Sequence, residues 1–137
     1  MKDTLTNVIL SIKPVYAEAI MSGLKTIEFR KKVFKRPVNK IYVYASSPIK
    51  KIIGYFTISE VVEAAPKDLW ESFNSVGGID KQSFFDYYDG VSDAIGLKVD
   101  EVRQFNNGVN PLDVLDKFTA PQSYMYTDLQ IEEELTY

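Results

Sequence analysis

The sequence contains no cysteine and no histidine. The first absence excludes disulfides, thiolate catalysis and cysteine zinc sites. The second removes the usual metal ligand and the commonest general base, so any catalysis falls to Lys, Asp, Glu, Tyr, Ser or Thr. No stretch approaches the roughly 18 apolar residues that a membrane span requires, and the opening MKDTLTNVILSIKP has too short an apolar run and no small-residue cleavage site. The chain is therefore expected to stay cytoplasmic, with no membrane partner. Internal repeats and low-complexity linkers are missing too, so one domain is expected over residues 1–128, followed by an acidic, polar tail, 129–137, prone to fraying. Asp86, Asp89, Asp93 and the tail's Glu132, Glu133 and Glu134 lack the spacing of any calcium loop; no metal and no cofactor are expected.

What is present is the balance of an ordinary globular domain, 45% hydrophobic and 26% charged over 137 residues. The formal net charge of -3 hides a division along the chain. Residues 1–51 carry eleven Lys/Arg against three Asp/Glu, a net of +8, and residues 52–137 carry five against sixteen, a net of -11. Folded into one face, the basic part steers polyanions toward itself. The plainer alternative is that the acidic half balances it in space.

Residues 7–12, NVILSI, read as a strand ending before Lys13-Pro14, and Pro14 opens a short helix that Gly23 closes in a left-handed cap. Residues 26–31, 40–45 and 51–62 read as further strands, with Gly54 a bulge or a point of close approach. Pro66 then starts a helix containing Leu69, Trp70 and Phe73, and Asp80 caps another that Gly90 closes after Phe84, Phe85, Tyr87 and Tyr88. Residues 94–99 are a strand candidate, and Asn110-Pro111 starts a helical turn reaching Phe118. Aromatics at helical spacing are treated as core packing. The expected class is α+β: a small, mostly antiparallel β-barrel with flanking helices.

Chemistry concentrates in Gly23–Arg30. Alternation in TIEFRK points Ile27 and Phe29 one way and Thr26, Glu28 and Arg30 the other, with Lys25 at the strand's mouth. Such a face does not look into an apolar core, because each buried charge costs several kcal/mol without partners. It faces a polar cleft, or it is an exposed ion pair worth about 0–1 kcal/mol. Spacing alone leaves both readings open.

The string Gly23-x-Lys25-Thr26-x-Glu28-x-Arg30, with Ser11-Ile12-Lys13-Pro14 before it and Tyr42-x-Tyr44-Ala45-Ser46-Ser47-Pro48 after it, resembles the ASCH domain family, whose fold resembles that of PUA domains. Gly54, Pro66-x-x-Leu69-Trp70, Ala94-Ile95 and Pro121-Gln122-Ser123-Tyr124 extend the likeness over most of the chain. The resemblance implies an RNA-binding module, regulating transcription or translation, with the motif lining a cleft. It implies that Lys25 and Arg30 meet phosphate or a base edge and that Glu28 accepts from an exocyclic amine or holds Lys25. A planar Arg fork and a mobile Lys charge suit those roles. Lys13 is positioned to join them, and Tyr44, Ser46 and Ser47 are candidates for stacking on a base and reaching sugar or phosphate, although each is also ordinary strand or turn chemistry. Lys31, Lys32, Lys35, Arg36, Lys40, Lys50 and Lys51 form the wider electrostatic footprint.

The expected function is thus binding of RNA, a nucleotide or a nucleoside by a cleft containing Lys13, Gly23, Lys25, Thr26, Glu28 and Arg30. The alternative is a hydrolase acting on an acylated nucleoside or on RNA through Lys25 and Glu28. Among similar proteins an amidohydrolase acting on N-acetylated cytidine uses a Lys, a Thr three residues later and a distant Glu. Here Glu28 stands where that Thr is expected, which puts such a nucleophile in doubt and favours holding a ligand over cutting it.

Overall fold

The NVILSI run lies in strand β1 (Thr6–Ile12), which is buried on both faces: Val8, Leu10 and Ile12 enter one core cluster and Ile9 enters another. The structure is a computed structural model and describes residues 6–131. Strands β2 (Ile27–Arg30), β3 (Val38–Ala45), β4 (Lys51–Ala64), β5 (Ala94–Val109) and β6 (Tyr124–Thr127) complete a six-stranded sheet in the order β2-β5-β4-β3-β1-β6. Strands β1 and β3 pair in parallel; the other pairs are antiparallel. Two-residue periodicity divides β3 as it divides β1, with Ile41, Val43 and Ala45 in the first cluster and Tyr42 and Tyr44 in the second.

Helix α1 (Pro14–Ser22) lays Ala17, Ile20 and Met21 on the first cluster and ends at Gly23, whose φ of 87° is the left-handed cap the sequence anticipates. Helices α2 (Pro66–Phe73) and α3 (Lys81–Tyr87) close a third cluster around Leu69, Phe84, Ile27 and Phe29. The Asp80 side chain caps α3 by accepting from the Ser83 N–H at 3.0 Å. Trp70, Phe73, Phe84 and Phe85 all pack in this cluster, as expected of aromatics at helical spacing.

Three expectations change. The sheet is not a closed barrel: among the described residues its hydrogen-bonded order ends at β2 and β6. The fifth strand runs to Val109, well past 99, because register shifts against β4 let a long polar stretch stay paired while it bends. After Asn110 the chain makes only a 3-10 turn (Pro111–Asp113), and Phe118 packs at 5.1 Å against the Tyr44 ring in place of continuing a helix. Of the residues assigned to a tail, Leu129 and Ile131 pack on the second cluster, with the Ile131 N–H donating to the Tyr42 hydroxyl at 3.1 Å. Glu132, Glu133 and Glu134 lie outside the described residues. No helix of the described chain is long and apolar enough to cross a membrane.

Gly54 is both a bulge and a close approach. Register shifts flank it on β3 and β5, and a Cβ there would stand 2.3 Å from the Arg103 carbonyl oxygen and 2.6 Å from Met21 Sδ. Because the first obstacle is backbone, Gly54→Ala should cost about 1–3 kcal/mol, the usual range for overpacking. A thermal melt of that variant should fall by several degrees; a melting curve that overlays the wild type would contradict the packing described.

Candidate functional site

The two ends of the sheet curl toward each other. Arg30, closing β2, donates through Nη2 to the hydroxyl of Ser123, just before β6, at 2.7 Å. Between these edges opens a cleft of about 940 Å³. The end of β1 and start of α1 bring Ser11, Lys13 and Tyr16 to it, the β3–β4 turn brings Ser46, Ser47 and Lys50, and α3 brings Ser83 and Tyr87.

At its floor is a chain of charges. Lys25 is 2% exposed and Glu28 5%. Lys25 is pinned from its main chain outward: its N–H donates to the Ala19 carbonyl at 3.0 Å, its stem lies against Gly78, and its ammonium donates to the Gly77 carbonyl. Gly78 has φ of 64°, and a Cβ on it would stand 2.9 Å from Lys25 Cβ, so glycine is what lets the α2–α3 loop approach. The same ammonium stands 3.5 Å from Glu28 Oε1 and 4.7 Å from the centre of the Phe29 ring. Glu28 Oε2 accepts from Arg30 Nη1 at 3.0 Å, and Arg30 passes the link to Ser123. Underneath, the Tyr88 hydroxyl lies 2.9 Å from the Arg30 carbonyl and 3.0 Å from that of Ile95, tying β2 to β5.

Burial is the largest influence on Lys25 and pulls its pKa below the ordinary 10.5; attraction and hydrogen bonding to Glu28 oppose this, and Arg30 adds to the lowering. Burial likewise raises the Tyr87 phenol, so that it stays protonated well into alkaline pH.

Of the residues singled out in the sequence, Lys13, Lys25, Glu28, Arg30, Lys31, Lys32, Tyr44, Ser46, Ser47 and Lys50 line this one cleft. Thr26 does not. It is exposed, its N–H bonds the Val76 carbonyl and its carbonyl accepts from Val99. Strand pairing starts only at Ile27, so the two-residue alternation does not extend back to Thr26, and Lys25 takes the place beside Glu28. Gly23 caps α1 away from the cleft. Lys35 and Arg36 lie along β6, Lys40 stands 4.8 Å over the Tyr55 ring, and the Lys51 stem lies by Gly108. Tyr44 is 6% exposed and packed on Phe118, which makes it a wall with little ring face for a base.

Reasoning from sequence missed Tyr16, Ser83, Tyr87 and Ser123 as cleft residues. Ser83 and Tyr87 stand four apart on α3, a spacing that places them on one helical face. Ser123 stands in the Pro121-Gln122-Ser123-Tyr124 stretch that carries part of the family resemblance, but nothing local shows that it reaches Arg30 across 93 positions of chain. Among the described residues no three His, Cys, Asp or Glu side chains gather as a metal-binding group.

The model of the ASCH domain matches residues 10–104. An ASCH domain-containing ribonuclease of Zymomonas mobilis is 31% identical over 87 residues, which cover 63% of this chain and 59% of that protein. The large ribosomal subunit protein uL22 of Ureaplasma parvum is 26% identical over 107 residues, covering 77% of this chain and 34% of that one. The matched regions thus take up under two thirds of either relative's own length. Among solved structures, the crystal structure of ASCH from Zymomonas mobilis superposes with a TM-score of 0.81 at 26% identity, covering 95% of this chain and 92% of that one.

Because folding takes the Lys25 pKa down, the unfolded chain binds more protons than the folded one between the lowered value and 10.5, and stability contributed there rises with pH. Below that window the full cost of burying the ammonium is present. Lys25→Met keeps the stem and removes the titration. The unfolding free energy of wild type relative to this variant, measured by denaturant titration from neutral pH up to 10.5, should therefore climb with pH. A flat or falling difference would count against the buried, desolvated ammonium.

Proposed function

Because the chain belongs to the ASCH domain family, whose model spans residues 10–104, we propose that its cleft binds single-stranded RNA. One observation carries the reading: among the described residues the cleft is lined by six cationic side chains and a single carboxylate. That carboxylate, Glu28, is already shared between Lys25 and Arg30. The surplus therefore sits on Lys13, Lys31, Lys32 and Lys50, all exposed. A polyphosphate backbone is the ligand that neutralises such a rim, whereas a neutral nucleoside is not. The motif residues then divide in role. Lys25, Glu28 and Arg30 form a fixed floor that holds Ser123 and presents the open edge of Arg30, while the rim lysines meet phosphates and Tyr87 and Tyr124 offer ring surface to bases.

A ribonuclease reading draws on the Zymomonas relative named as one and on Lys50. Lys50 holds φ of 57° in a turn closed by its N–H on the Ala45 carbonyl, a conformation costing on the order of 1 kcal/mol for a side-chain-bearing residue, and that turn delivers its ammonium to the rim. In this reading the ribose 2′-oxygen attacks the adjacent phosphorus and gives its proton to a cleft base. The 5′-oxygen departs with a proton from a cleft acid, leaving a 2′,3′-cyclic phosphate and a 5′-hydroxyl. Lys50 and Arg30 stabilise the charge that develops on the phosphoryl oxygens.

In fluorescence anisotropy at low salt, Lys13→Gln and Lys50→Gln should each weaken binding of a short single-stranded RNA by roughly three- to tenfold and flatten the slope of log affinity against log salt by about 0.7. Unchanged affinity and slope in both variants would remove the cleft from consideration. For cleavage, wild-type protein should convert the RNA to fragments ending in cyclic phosphate, Lys50→Gln should lose most of that activity, and a strand with 2′-deoxyribose at the cut site should stay whole. Cutting of the deoxy strand would defeat the mechanism.

A further inference from the structure

The segment 31–37 leaves the cleft carrying Lys31, Lys32, Lys35 and Arg36, all exposed, but only the first two line the cleft. The other two run along β6, the edge strand of the sheet among the described residues. The Lys35 N–H donates to the Tyr126 hydroxyl at 2.7 Å, and the Arg36 guanidinium lies 4.2 Å from the centre of the Tyr126 ring. Two residues before it on the same strand, and so on the same face, Tyr124 lines the cleft. Its ring centre is 5.4 Å from that of Tyr126 and 4.8 Å from that of Phe34. A row of rings thus leads from the cleft to Arg36, and neither the segment 31–37 nor β6 carries a carboxylate.

We propose that Tyr126 and Arg36 form a second nucleotide subsite outside the cleft, so that the ligand is a single strand of several nucleotides with one unit in the cleft and the next on this edge. The inference rests on the RNA-binding reading of the cleft and carries the bound strand beyond it onto the sheet edge. Rings following one another along a strand, flanked by cations, suit successive bases and phosphates, since every base has a face to stack and every linkage a charge to neutralise. A guanidinium held over a ring by cation–π attraction still has N–H groups to offer a phosphate. An acidic protein would need the charges but not the rings.

The test is binding of labelled oligouridylates of one, two, four and six nucleotides. Affinity should rise steeply between one and four. Arg36→Gln and Tyr126→Leu should each weaken the hexamer by about tenfold, the effect of losing one stacked base, while leaving uridine monophosphate unaffected. Arg36 is exposed, so its variant tests the subsite without disturbing the core. The subsite is overturned, and the cleft reading kept, if the monophosphate binds as tightly as the hexamer or if both variants bind the hexamer within twofold of wild type. Both fall together if no uridylate of any length binds. A polyglutamate peptide binding as tightly as the hexamer would reassign the surface to acidic proteins.

Discussion

Three linked charges, two buried and one partly buried, set the terms for the rest of the molecule. A Lys and a Glu taken out of water, with a partly buried Arg beside them, are tolerable only if their remaining polar atoms find partners, and losing one partner of a buried pair typically costs several kcal/mol. Here the partners come from distant parts of the chain: a carbonyl in the α2–α3 loop for Lys25, a hydroxyl at the approach to β6 for Arg30, with Glu28 between them. Satisfying the charges therefore fixes where a loop and an edge strand must lie. The third cluster stands against the same element from the other side, through Ile27 and Phe29. One four-residue strand thus joins an apolar layer to a polar floor.

That arrangement separates holding a site together from contacting a ligand. A lysine clasped by a carbonyl, a carboxylate and an aromatic ring has little left to offer a phosphate, however prominent it is in a motif. Exposed lysines on turns are costly to order but keep all three donors available. The cleft has both kinds, and the curl of the sheet places the first beneath the second.

Much of this was legible in the residues. The β-branched run of β1, Pro14 and Gly23 bounding α1, Asp80 capping α3, and the bulge at Gly54 each follow from a local preference, and each is where local chemistry puts it. Gly23 and Thr26 lie inside the motif yet away from the cleft, because a helix cap and a residue ahead of the strand do not obey strand alternation. The second half of β5, EVRQFNNGV, is polar and mostly exposed, so it lacks the apolar alternation that marks a strand and is held by its pairing with β4. β6 is four residues long and, among the described residues, partnered on one side. The Arg30–Ser123 link, and with it the failure of the sheet to close, depends on tertiary curvature that no window of sequence contains.

Strand β1 runs toward the cleft, and β6 starts at the cleft and runs back beside it, pairing Asn7 with Thr127. Asn7 fastens that far end from both directions, donating to the Leu129 carbonyl at 2.9 Å and accepting from the Lys40 N–H at 3.0 Å. The described residues thus start and end at one pole while the cleft occupies the other, separated by a strand of seven residues, about 20 Å. Changes confined to that pole, where Asn7 holds three segments together, therefore lie about a strand's length from the cleft residues.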